Sequence, residues 1–507
     1  MVLSDSASVM SEHTPLLAND TNINKGAMYE SSLMEEGKWL FKNSVPIVGT
    51  YLLQNSLQLA SVFTLGHLGS TELGAAALGS MFASVSAWSL AMGSTTALDT
   101  LCSQAWAGAK DKTLVGVHLQ RALIILAIMF IPIACVWWKA EDVLLFLGQE
   151  PELSYHAGLF LRYLLIGAPA FIAFEAIKKY LQAQGIMQAS TYVLFVASPL
   201  NLLLNYTLVY VEPFHMGFIG APLATSFSYW LMLILLLVYI RYVDGMAAWG
   251  GWTRECLQDW KPFIRLALPG VVAVSVEWWT FEITALAASY LSTIDLAAQS
   301  ILLTSAAATY TIPFGISIAA SNRVGNALGW FNPMQAKHAS TVAICFSLFF
   351  GLTNSTFFMV TRSFYGYLFT EDPDVVVRVS HILPMCALFQ VSDGLAGVAS
   401  GVIRGLGRQK MSAWMNLLAY YVVGAPLGYV LTFKLGWNLT GLWVALTVAL
   451  FLSAGSQVLF LLIVDWQAEA RKAYESVQLA EDKMHHQERI PDRQRLSSIS
   501  STDGLLA

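Results

Sequence analysis

The chain has 507 residues, of which 56% are hydrophobic and only 12% charged, with a mean hydropathy of +0.57. That charged share is about half that of an ordinary soluble domain, so water is not its main solvent. A net charge of −5 without a clustered basic surface sets a nucleic-acid partner aside.

In chain order, roughly forty polar residues precede the first apolar run, the reverse of a cleaved signal peptide, which starts basic and turns hydrophobic at once. Residues 1–42 are therefore expected to form a disordered cytoplasmic tail, and the first transmembrane helix to serve as the membrane signal. Within that tail, Glu12-His13-Thr14-Pro15-Leu16-Leu17 fits the acidic dileucine pattern read by sorting adaptors. It predicts a vacuolar or lysosomal-type membrane ahead of the plasma membrane.

A bilayer core about 30 Å thick needs about 20 apolar residues of helix, because lipid offers no partner for a bare backbone amide. Twelve such runs follow, near 43–66, 72–98, 119–138, 157–177, 188–211, 218–240, 265–291, 294–320, 339–360, 379–403, 411–434 and 438–464. Among the alternate connections, fourteen Lys and Arg fall on one side and five on the other. Positive charge is retained in the cytoplasm, so the richer set, which includes Lys178, Lys179, Arg404 and Arg408, is assigned there with both tails.

The two halves match at one offset of about 222 residues. STELGAAALG at Ser70 resembles STIDLAAQSI at Ser292, AQG at 183–185 falls on GLG at 405–407, and IGAPLAT at Ile219 falls on TGLWVALT at Thr440. Six spans separate the copies, so the repeats are parallel, related by a pseudo-two-fold axis along the membrane normal, with the solute path between them. The expected fold is all-α, with six-helix lobes over 43–241 and 265–465. Residues 242–264 are expected as a cytoplasmic linker, either carrying an interfacial helix or running as a plain loop, and 466–507 as a second disordered cytoplasmic tail.

A charge at the bilayer centre costs roughly 2.5–3.5 kcal/mol on insertion scales, so an intramembrane carboxylate is a functional candidate by default. Glu277 and Glu282 lie in span 7 within SVEWWTFEIT, and Asp393 lies in span 10 within FQVSDGLAG, all near mid-depth. Five residues turn a helix by about 140°, so the two glutamates are not expected to face one point alike. Burial favours the neutral acid, which makes this group the predicted carrier of a coupling proton. Trp278, Phe281 and Tyr310 add aromatic faces suited to an organic cation. The competing account is a buried acid satisfied by hydroxyls such as Thr280, Thr284, Thr304, Ser392 or Ser400.

The other candidates read as structural. Glu175 is expected to pair with Lys178 and Lys179, Asp99 to cap or orient the connection after span 2, and Glu72 and Asp295 to cap helix starts. Gln54, Asn55 and Gln58 in span 1 and Asn201 and Asn205 in span 5 are able to bind a solute, but helix-to-helix hydrogen bonding is the favoured role. Ion coupling is therefore expected mainly in the second half.

GHLGSTELGAAALG, ALDTLCSQAWAG, SVEWWTFEI, AASNRVGNALG and GVIRGLGRQKMSA resemble eukaryotic, fungal-type members of the multidrug and toxic compound extrusion (MATE) family, from about Asn43 to Asp465. The resemblance implies twelve helices in two lobes and an antiporter that exports organic cations, drugs or metabolites against protons or sodium; a monomer is expected. Family cavity residues carry over to Glu277, Trp278, Glu282, Tyr310 and Asp393, with Gln54 a weaker match. Thr304 stands where some animal relatives have a glutamate, and span 1 lacks the aspartate of prokaryotic relatives. Protons are the expected coupling ion, and no cofactor or metal is implied.

Two rivals remain. A flippase of a lipid-linked or amphipathic substrate on the same fold predicts a basic cavity, whereas the mid-membrane charges read as acidic. An intramembrane enzyme needs a convergent catalytic set, and the histidines lie apart at span ends or loops.

Overall fold

In lipid every backbone amide must be satisfied within its own segment, and the chain meets that demand with long α-helices joined by short turns. The computed structural model describes residues 32–212 and 215–503, with side chains to 485; the dileucine pattern at Glu12–Leu17 lies outside them. The first lobe comprises α1 (Leu33–Gly66), α2 (Ser70–Gly108), α3 (Thr113–Trp138), α4 (Pro151–Leu164 with Ala168–Ala183), α5 (Ala189–Tyr210) and α6 (Gly220–Tyr242). The second comprises α7 (Lys261–Ser289), α8 (Thr293–Gly329), α9 (Pro333–Thr361), α10 (Pro373–Gly405), α11 (Gln409–Lys434) and α12 (Asn438–Ile463), and α13 (Trp466–Asp503) follows.

Ten of these helices are long and apolar enough to cross a membrane, and α4, bent by 54° between its halves, makes an eleventh. α1 has ample length at 34 residues, but its amides dilute its hydropathy. The fold is the expected twelve-helix, two-lobe bundle. Spans 2 and 8 run well past their predicted inner limits, because the polar residues beyond them pack against protein rather than meeting water.

The lobes meet mainly on one side, with Trp279 Nε1 of α7 donating to the Val85 carbonyl of α2 (3.2 Å) near mid-depth. The face holding the α2–α3 turn, the linker and α13 is called inner; the opposite face, outer. Leu40, Ile47 and Tyr51, on the inner half of α1, belong to a core cluster with Ile316 and Val402 of the second lobe, while Leu57 and Leu65, on its outer half, join the first-lobe core. α7 mirrors this: Phe263 and Ala267 pack into the first-lobe core, and Val276 and Ala288 into the second. Each lobe's leading helix thus crosses to the other lobe at the inner face. Glycines permit the approach. A Cβ on Gly93 of α2 would lie 2.5 Å from the Val271 Cα of α7, and one on Gly108 would lie 2.7 Å from the Gly329 carbonyl oxygen. With inner halves sealed and outer halves packed into separate cores, the molecule is closed inward.

Three expectations change. The first is the pair of tails: 33–42 form the start of α1 and 466–503 form α13, whose Trp466, Ala470, Ala473, Val477 and Met484 are buried at helical spacing. A buried apolar stripe supplies the stabilisation that a solvated tail would lack. Second, of the two forms open to the linker, the interfacial α-helix is not the one it takes. It makes two 3₁₀ turns, Met246–Ala248 and Arg254–Leu257, and is tied to α3 where Gln120 donates to the Gly251 carbonyl (2.6 Å) and accepts from the Thr253 amide (3.1 Å). Third, Lys178 and Lys179 are buried within the first lobe rather than lying in a loop. The charge imbalance survives their removal from the count.

Candidate functional site between the lobes

Mid-length on α7, the run Glu277, Trp278, Phe281 and Glu282 faces Tyr310 of α8 and Asp393 of α10 around a cavity of about 330 Å³. All five second-lobe residues singled out in the sequence are brought together there. Glu277, Trp278 and Tyr310 also line a second cavity, of about 360 Å³, between the lobes. Its first-lobe wall holds Gln54, Tyr51, Trp88, Phe171 and Tyr229. The 140° between the glutamates appears here, since Glu277 reaches both cavities and Glu282 only the first.

The hydroxyls that would satisfy these acids are engaged elsewhere. Thr280 donates to the Val276 carbonyl (2.7 Å), Thr284 to that of Thr280 (2.7 Å) and Ser392 to that of Phe389 (2.9 Å), while Ser400 pairs with Ser412 (3.1 Å). Thr304 is exposed. Among the described residues, no side chain donates a hydrogen bond to Glu277, Glu282 or Asp393. Such acids are left to whatever enters the cavity.

Aromatic positions are set by packing. One turn beyond Asp393, a Cβ on Gly397 would lie 2.6 Å from the Tyr310 hydroxyl oxygen, so the glycine lets that ring lie against α10. Phe314 stacks 5.7 Å from Tyr310 and, edge-on, 4.7 Å from Tyr51 of the first lobe. On the opposite wall, Trp88, Phe171 and Tyr229 form a mutual cluster with centroids 4.7–6.2 Å apart. The sequence reading missed these three, because each is an ordinary aromatic in an apolar run.

Asp99 is not the local cap expected of it. α2 continues past it to Gly108, and its buried carboxylate crosses the lobe boundary. Lys179 Nζ of α4 lies 2.9 Å from one carboxylate oxygen, and Arg404 Nε of α10 lies 3.5 Å from the other. Arg404 also donates to Ser317 Oγ (2.9 Å), and its carbonyl accepts from Thr100 Oγ1 of α2 (2.5 Å). These three charges form the inner floor of the central cavity, so its charges are not acidic alone. No spacing along the chain announces a contact 80 residues long.

Glu175 pairs with Lys178 as expected, at 2.7 Å, but Lys179 turns away to Asp99. Gln54 donates to Glu175 (3.0 Å), and Lys178 sits 4.4 Å from the Tyr51 ring centroid. Asn201 donates to Ser228 (2.9 Å) and Asn205 accepts from Ser61 (3.2 Å), so these amides join α5 to α6 and α1. Asp295 and Glu72 lie in first helical turns, but Ser292 makes the capping bond at α8 and Asp295 pairs with Arg378 (2.5 Å).

The MatE family model matches residues 46–207 and again 269–430, one match in each lobe. Those starts agree closely with the offset read from the sequence. The chain is 41% identical to an uncharacterized transporter of Schizosaccharomyces pombe over 84% of this chain and 79% of that one. It is 36% identical to Protein DETOXIFICATION 16 of Arabidopsis thaliana, covering 88% and 91% of the two chains, and 34% identical to Multidrug and toxin extrusion protein 1 of Danio rerio, covering 90% and 76%. The crystal structure of the eukaryotic MATE transporter AtDTX14 superposes with a TM-score of 0.83 at 29% identity, over 88% of this chain and 99% of that one.

Proposed function

Because this chain belongs to the MATE family of multidrug and toxin extrusion transporters, we propose that it is a secondary antiporter carrying organic cations, drugs or metabolites out of the cytosol in exchange for protons. One observation carries the reading: among the described residues, Glu277 and Asp393 sit without hydrogen-bond donors on the wall of an aromatic-lined cavity. A proton or a cation satisfies such a carboxylate, but not both at once. A proton arriving from the outer face releases cargo there. Cargo arriving from the inner face displaces the proton, and exchange follows from the competition.

Each elementary charge crossing 100 mV contributes about 2.3 kcal/mol, and each pH unit about 1.4, enough for at least tenfold accumulation. Trp278 and Tyr310 hold the cargo's charge against ring faces. Sodium is the alternative coupling ion. The dileucine pattern supports a vacuolar membrane, with the inner face toward the cytosol. A flippase for anionic lipid-linked cargo would need Lys179 and Arg404 free, and Asp99 holds both.

The test is reconstitution in vesicles. An acid interior is expected to drive uptake of a labelled organic cation where a sodium gradient does not, and Glu277→Gln is expected to abolish that uptake with insertion intact. Undiminished proton-driven uptake by Glu277→Gln rejects the assignment.

A further inference from the structure

α13 lies across the inner face and is fastened to both lobes. Its first half holds to the second lobe. Trp466, Ala470 and Ala473 join that lobe's core, Tyr474 packs against Phe331 (6.0 Å), and the Glu469 carboxylate takes a bidentate ion pair from Arg408. Its second half holds to the first lobe. Val477 and Met484 join that core, and Gln478 donates to the Gly108 carbonyl at the end of α2 (3.1 Å). The buried Glu481 carboxylate accepts from the backbone amides of Asp111 (2.6 Å) and Lys110 (3.1 Å), in the turn leading into α3.

An exchange cycle requires the inner halves of the lobes to part, so α13 cannot keep both attachments throughout. The first-half attachment is continuous with α12 and includes the bidentate pair. The second half hangs on Glu481, Gln478, Val477, Met484 and the partly buried Ala480, with exposed or half-exposed Lys483–Asp259 (3.1 Å) and His485–Asp111 (4.0 Å) pairs at its end. We propose that α13 is a strap that holds the inner face shut, and that its Glu481 end leaves the α2–α3 turn each time the inner face opens. The proposal rests on the exchange cycle inferred above.

Ser103, buried where α2 meets Gly325 of α8, reports the opening. In the full-length chain bearing Ser103→Cys, with all five native cysteines replaced by serine or alanine, a membrane-impermeant maleimide is applied from the inner side. Adding Glu481→Ala is expected to raise the Ser103→Cys labelling rate by roughly tenfold, the size of one lost charged hydrogen-bonding group. In a separate variant, Lys110→Cys and Glu481→Cys joined by a short bismaleimide are expected to stop proton-driven uptake, whereas Arg408→Cys and Glu469→Cys joined the same way leave it running. Unchanged labelling in Glu481→Ala, or uptake that continues with 110 and 481 joined, overturns the strap. The labelling assay needs no cargo and no ion gradient. Unlinked protein that labels as expected but fails to transport would therefore reject the antiport reading alone.

Discussion

Trp278 and Tyr310 flank Glu277, and their contributions to cargo binding can be separated from the charge they flank. A ring over a cation contributes roughly 0.5–2 kcal/mol, so Trp278→Ala is expected to weaken apparent affinity for an aromatic cation by roughly 2- to 30-fold, read as a rise in KM. Maximal uptake should change little, since the carboxylates remain. Gly397→Val acts differently. The added side chain displaces the Tyr310 ring from α10, and uptake is expected to fall while the protein still inserts. At this scale the sequence was informative wherever a charge stood in an apolar run, because the cost of placing it there demands a reason. Glu277 and Asp393 stood out for that reason. Asp99 did not, since its partners Lys179 and Arg404 come from α4 and α10 and only the folded chain brings them to it.

Elements were legible where hydropathy alone defines them. The apolar runs marked most helices, while their ends were obscured by polar residues that meet protein instead of water. α13 was misread because its buried stripe is thin, with alanines at 470 and 473 among many charges. Composition registered the charges, and only the spacing carried the helix. The glycines along α2 have a testable purpose at this scale. Gly93→Leu places a side chain where the Val271 backbone lies, and the inner halves of α2 and α7 can no longer close. Faster inner-side labelling of Ser103→Cys is the expected outcome, with reduced uptake.

For the molecule as a whole, the floor of the central cavity and the closure of the inner face are the same structure. Removing one partner from a buried pair costs about 3–5 kcal/mol, because the remaining charge is left uncompensated. Asp99→Asn strands both Lys179 and Arg404 at the lobe boundary. It is expected to favour the conformation in which the inner halves part, measured by the same labelling assay, and to slow exchange by trapping that conformation. Labelling as slow as in the parent would remove Asp99 from any role in closure. The duplication itself was plain in the sequence. That the lobes touch mainly through their inner halves was not, because it depends on which face of α1 and of α7 finds a partner at each depth.

The family match begins at 46 in one lobe and 269 in the other, and counting on from those starts brings Gln54 and Glu277 to the same place. One place in the repeat thus holds an amide in one copy and an acid in the other. The amide now belongs to its neighbours, Glu175 and Lys178. A glutamate grafted at 54 would inherit a resident ammonium and a rival anion, so moving the acid from 277 to 54 should not move the chemistry with it. Architectural kinship between the halves has outlasted their interchangeability.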